Sequence, residues 1–139
     1  MAGSANGEVL SQLSATNEAQ VAGIDWGAQV GIIDNNRILF DAFVKFGTHS
    51  TNERSVVGLA SAYNATFDSV TINLWFRLEA SMALLIEGDD GTTDTDDQSA
   101  GVTITADTYY RLTIAVLNTA LAAFYVNGAF VGTVAVAAL

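Results

Sequence analysis

The densest charge on the chain is the stretch Glu87-Gly-Asp-Asp-Gly-Thr-Thr-Asp-Thr-Asp-Asp97. Two chemistries suit carboxylates at this spacing. A hard cation such as Ca²⁺ takes about six to eight oxygens from carboxylates and backbone carbonyls of a flexible loop. Asp89, Asp90, Asp94, Asp96 and Asp97 are the candidate ligands, and calcium is the one cofactor they suit. The stretch is not an EF-hand: counted from Asp94, the glycine at the sixth position and the glutamate at the twelfth are both missing. A glycosidase needs two carboxylates about 5–9 Å apart. Glu87 and Asp89 have the spacing to share one strand face, but they run straight into a Gly-rich turn. The plainer expectation is a solvated hairpin loop whose like charges discourage edge pairing.

Other reactive groups are sparse. The chain has one histidine, His49, among turn residues, and no cysteine. Cys–His catalysis, thiolate metal sites and multi-His zinc sites are therefore excluded. A Ser-His-Asp set lacks the Gly-x-Ser-x-Gly elbow that would present its nucleophile. Neither G-x-G-x-x-G nor G-x-x-x-x-G-K occurs to cradle a phosphate. The expectation is a protein without a catalytic site.

The remaining candidates are large aromatics placed by the strands that carry them. In Val70–Leu78, Val70, Ile72, Leu74, Phe76 and Leu78 alternate with Thr71, Asn73, Trp75 and Arg77. Period two is the mark of a half-buried strand. Tyr109–Val116 and Ile38–Phe46 repeat the pattern, with Phe43 breaking the polar set of the latter. Shorter strands are expected at Glu8–Leu13, Gln29–Ile33, Ser55–Ala60, Met82–Glu87 and Gly101–Thr105. Helix is expected at most over Asn17–Val21 and near Glu79–Leu84. Asn127-Gly128 tolerates positive φ at both centres of a type I′ turn. It predicts a hairpin in which Val126 faces Ala129, Tyr125 faces Phe130 and Phe124 faces Val131. Phe43, Trp75, Tyr109, Tyr125 and Phe130 then point away from the core, as an interface or ligand face.

Short strands separated by turns predict an all-β, two-sheet antiparallel sandwich of one domain over residues 8–139, preceded by a flexible arm at residues 1–7. The formal charge of −10, from 15 acids and 5 bases, repels nucleic acid and anionic membranes. The first residues lack the basic and apolar regions of a secretory signal. No apolar run reaches the length of a membrane span.

Val102-Thr-Ile-Thr-Ala-Asp-Thr-Tyr-Tyr-Arg-Leu-Thr-Ile114, followed by Ala123-Phe-Tyr-Val-Asn-Gly-Ala-Phe-Val-Gly-Thr133, resembles the back half of concanavalin A-like (laminin-G-like) domains. Ser55-Val-Val-Gly-Leu-Ala60, Leu74-Trp-Phe-Arg77 and Glu87-Gly-Asp-Asp-Gly91 are similar to versions in phage structural proteins. The resemblance spans residues 38–134 and implies a jelly-roll sandwich. It also implies a non-enzymatic virion protein, a capsid decoration or cement protein clamping neighbouring subunits. Its partners would be the major capsid protein or another virion protein, with self-association into a homo-oligomer such as a trimer. The alternative it implies is a carbohydrate-binding module of a phage tail or fibre. The Glu-x-Asp-x-x-Glu strand of lectin-like glycosidases is absent. Domains of this kind usually continue beyond the hairpin with further strands. The expectation is thus a sheet lacking its last strands at Leu139, whose edge another chain covers.

Overall fold

Alternation of apolar and polar residues sets the strands, and the two faces it creates set the layers. The computed structural model describes residues 2–3, 9–10, 38–62, 64, 66–118 and 120–136. Their strands are β1 (Ala2–Gly3), β2 (Val9–Leu10), β3 (Leu39–Lys45), β4 (Ser55–Ala60), β5 (Ile72–Leu78), β6 (Ala83–Asp90), β7 (Asp94–Thr103), β8 (Tyr109–Asn118), β9 (Leu121–Val126) and β10 (Ala129–Ala135). The chain divides into two units, Met1–Gly31 and Ile32–Leu139. In the first unit β1 and β2 form a short antiparallel ladder. The expected strand Gln29–Ile33 and helix Asn17–Val21 lie outside the described residues.

The second unit is the expected all-β, two-sheet antiparallel sandwich. Its sheets run in the orders β10-β9-β8-β3 and β4-β5-β6-β7. Leu74, Phe76 and Leu78 of β5 and Leu84 and Ile86 of β6 meet Leu112, Ile114 and Val116 of β8 and Ala122, Phe124 and Val126 of β9 in one core. Phe76 and Phe124 join the layers edge to face, with ring centroids 5.1 Å apart. The favoured T-shaped geometry adds to the burial of both rings.

Two glycines let the layers interlock. A Cβ on Gly88 of β6 would lie 2.5 Å from Val134 Cγ1 and 2.8 Å from Leu74 Cδ2. A Cβ on Gly132 of β10 would lie 2.7 Å from Ile86 Cδ1. Each glycine is thus a notch filled by a side chain of the facing sheet. The same packing corrects the hairpin register. Asn127 (φ 52°) and Gly128 (φ 81°) form the expected turn. Val126 faces Ala129 and Tyr125 faces Phe130, but Phe124 faces Gly132 instead of Val131. Val131 is displaced by a bulge, which brings Gly132 to the position where Ile86 needs room.

The acidic stretch is not a loop. β6 continues to Asp90 and β7 starts at Asp94, leaving Gly91–Thr93 to turn. Asp89 Oδ1 accepts from Gly91 N–H at 2.8 Å, and Asp90 Oδ1 accepts from Thr92 and Thr93 N–H at 2.9 and 2.7 Å. Carboxylates folding back on the next amides are a strong turn device. Helix near Glu79–Leu84 is likewise overturned. Met82 takes a left-handed φ of 58° in a tight β5–β6 turn.

Gly88→Ala is expected to cost about 1–3 kcal/mol by overpacking. Val134→Ala in the same chain should restore part of it. Urea unfolding of the two single variants and the double variant measures the coupling.

Candidate functional site

The two outer faces of the sandwich are built in opposite ways. On the β4–β7 sheet, Asn73, Trp75 and Arg77 point outward as their spacing required, yet all three are buried. A single helical turn, Phe67–Ser69, meets Trp75 and Arg77, and Asn73 Nδ2 donates to Val70 O just beyond it at 2.8 Å. Phe67 packs edge-on to Trp75, centroids 6.0 Å apart. Trp75 is 4% exposed, so its expected role as an interface or ligand residue is corrected: the chain covers that ring itself. Gly58 of β4, opposite Trp75, lies so close to β5 that a Cβ would fall 2.6 Å from Trp75 Cα.

Beneath this turn lies an ion cluster that sequence reasoning missed. Trp75 Nε1 donates to Glu87 Oε2, and Arg77 Nη1 donates to Glu87 Oε1 at 2.9 Å and Asp68 Oδ1 at 2.7 Å. Arg77 Nη2 donates to Glu79 Oε1 at 2.7 Å, and Arg54 reaches the same oxygen at 3.3 Å. Asp97 stands 3.8 Å from Arg77. Burial pushes the Glu87 carboxyl up to about 7; the Trp75 N–H and Arg77 pull it back down, and Asp97 raises it. Burial works against the Arg77 charge, but Glu87, Glu79 and Asp68 outweigh it and hold the guanidinium protonated. The signal was present: Arg77, one of five bases, stands in the outward set of a strand beside Trp75.

The carboxylate candidates disperse over this hairpin. Glu87 and Asp89 do share the outer face of β6, but Glu87 is 3% exposed and engaged by Trp75 and Arg77. Alternation sends Asp90 to the opposite face from Asp89, where it caps the turn. Asp94 stands opposite Asp89, and its carboxyl is raised by burial and then by Asp96 and Asp89. Asp97 takes a left-handed φ of 51°. Among the described residues, no group of three or more His, Asp or Glu is arranged to hold a metal ion. Of the five candidate calcium ligands, Asp89, Asp90, Asp94, Asp96 and Asp97, the hairpin sets Asp94 opposite Asp89 and turns Asp90 to the other face. His49 is a half-buried staple: Nε2 lies 2.8 Å from Ser55 Oγ and Nδ1 3.2 Å from Gly47 O. A backbone carbonyl stands where a triad needs its carboxylate.

On the face of the β10-β9-β8-β3 sheet, no such turn covers the aromatics among the described residues. Phe43, Tyr109, Tyr125 and Phe130, each expected to point away from the core, share this face. Phe43 is 70% and Phe130 61% exposed. Phe43 stacks on Tyr109, centroids 5.0 Å apart and planes 4° from parallel, with Lys45 Nζ 5.2 Å from the same ring. Tyr125 meets Phe130 edge to face at 5.8 Å. Between the two pairs, Arg111 grips Asp41 through Nε and Nη2 at 2.9 Å, and Thr113 Oγ1 donates to Asp41 Oδ1 at 2.7 Å. The Arg111 hydrogen bond, then that of Thr113, holds the Asp41 carboxyl below its usual range. Two aromatic pairs flanking a fixed charge pair make a surface able to anchor and orient a partner.

Comparison with family models, curated proteins and solved structures gives no match.

The folded Glu87 carboxyl titrates near 7, above its ordinary 4.5, so the folded state binds that proton more tightly than the unfolded chain. Its stabilising contribution is complete below about pH 4.5 and is lost as pH rises through 7. Glu87→Gln is expected to remove this fall from the stability–pH profile. Urea unfolding of both proteins between pH 4 and 8 shows it as a difference that changes only in that window.

Proposed function

We propose that the chain is a non-enzymatic structural protein of a phage particle, a capsid decoration or cement protein. In this reading it docks through the outer face of the β10-β9-β8-β3 sheet onto the major capsid protein or another virion protein. One observation carries the reading. The chain covers Trp75 on one sheet with its own Phe67–Ser69 turn, yet leaves Phe43 and Phe130 on the other 70% and 61% exposed. Large aromatics left on one face ask for a partner. The resemblance of Leu74–Arg77 and Glu87–Gly91 to phage structural proteins points to a virion as the place where that partner is met.

Docking would work by burying the exposed aromatics, with Arg111–Asp41 fixing orientation and the charge of −10 seeking basic patches. Repetition on a lattice would turn modest contacts into tight retention. The alternative, a sugar-binding module of a tail or fibre, loses Trp75 as a stacking plane and keeps Tyr125.

Phe43→Ala and Phe130→Ala each alter an exposed side chain and should leave thermal unfolding unchanged. Each is expected to weaken binding to capsid shells of the encoding phage by about 2 kcal/mol, roughly 30-fold, as a central aromatic anchor would. Co-sedimentation across a salt series measures it. Affinity for shells that neither substitution changes would end the reading. Binding on a glycan array that Tyr125→Ala abolishes would replace it with the sugar-binding one.

A further inference from the structure

Among the described residues, the two four-stranded sheets end on four strands, and these edges differ. β10 is bulged at Val131, and β7 breaks register twice and holds Asp97 and Gly101 at positive φ. Bulges blunt an edge against another strand. β4 is regular but carries no charge and no exposed large hydrophobic. β3 pairs with β8 from Leu39 to Lys45 without a break, and Leu39 and Phe43 are each 70% exposed.

The backbone groups on the outer edge of β3 follow from its hydrogen bonds. Val116 N–H donates to Ile38 O at 2.8 Å, and Asp107 N–H donates to Phe46 O at 2.8 Å. The even-numbered residues therefore direct their backbone groups toward the β8 side. Antiparallel alternation directs those of Leu39, Asp41, Phe43 and Lys45 the other way. Only registers that pair odd with odd residues can use them. Centred on Asp41, such a pairing of two β3 strands sets Asp41 against itself. Centred on Phe43, it sets each Asp41 opposite the other copy's Lys45 and the two Phe43 rings side by side. Opposite charges directly across a ladder stabilise it, and like charges oppose it.

From this self-complementary pattern we infer that β3 pairs antiparallel with β3 of a second copy about a two-fold axis at Phe43. The two β10-β9-β8-β3 sheets become one continuous eight-stranded sheet. Its outer face carries both sets of aromatics, and Lys45 of each copy joins the other's Asp41–Arg111 pair. The inference stands apart from the phage-particle reading, since it concerns the chain alone.

The chain has no cysteine, so a single introduced thiol reports one site. In full-length Phe43→Cys, the two thiols face each other across the axis at a Cα separation of about 5.5 Å, within disulfide range. In full-length Leu39→Cys, equally exposed and on the same strand, they lie about 27 Å apart at ~3.4 Å per residue. Mild oxidation is expected to yield a disulfide dimer at least tenfold faster for Phe43→Cys. Light scattering of the unmodified protein is expected to approach twice the 14.6 kDa chain mass as concentration rises. A chain that keeps its single mass at every concentration, forms a trimer, or cross-links no faster at 43 than at 39 overturns the inference.

Discussion

Arg77 brings one positive charge beneath a turn where Asp68, Glu79, Glu87 and Asp97 converge. A buried guanidinium left unpaired would be strongly destabilising, so its partners are obligatory. Those partners come from β6, β7, the β5–β6 turn and the Phe67–Ser69 turn, so one side chain on β5 ties these elements together. The negative charge still exceeds what Arg77 and Arg54 can balance, and the cluster relieves part of it by raising the Glu87 carboxyl. The covered face follows from this constraint: the turn that supplies Asp68 also supplies the Phe67 ring over Trp75.

The opposite sheet solves its polar residues differently. Asp41, Arg111 and Thr113 satisfy one another in view of solvent, where a charge pair contributes little to stability. What it does provide is a fixed direction for donors and acceptors between two aromatic pairs. One outer face therefore holds its polar groups in a buried cluster, while the other carries them beside exposed aromatics.

Much of this was legible in local sequence. Period two placed β3, β5 and β8, and Asn127-Gly128 placed the last hairpin with its first two residue pairs. The same alternation turned Phe43, Tyr109, Tyr125 and Phe130 away from the core, while their sharing of one sheet depends on strand order. It failed where the deciding contact is distant. The bulge at Val131 answers to Ile86 in the other sheet, which no local pattern reports. Alternation also says which way Trp75 points but not what lies above it, and the cover comes from a segment with no periodicity. The acidic stretch was misread because Asp, Gly and Thr are turn formers by composition. Pairing with β5 holds β6 extended to Asp90 regardless, and the aspartates become arms of a ladder.

The two glycine notches have a consequence beyond packing density. Apolar contact is non-directional, so one smooth sheet can slide over another at little cost. Val134 seated at Gly88 and Ile86 seated at Gly132 act as two pegs in two holes. Two pegs forbid translation of one layer along the other and also rotation about either peg. The sandwich thus behaves as a keyed joint: a load placed on the aromatics of one sheet passes directly to the ion-tied sheet behind it.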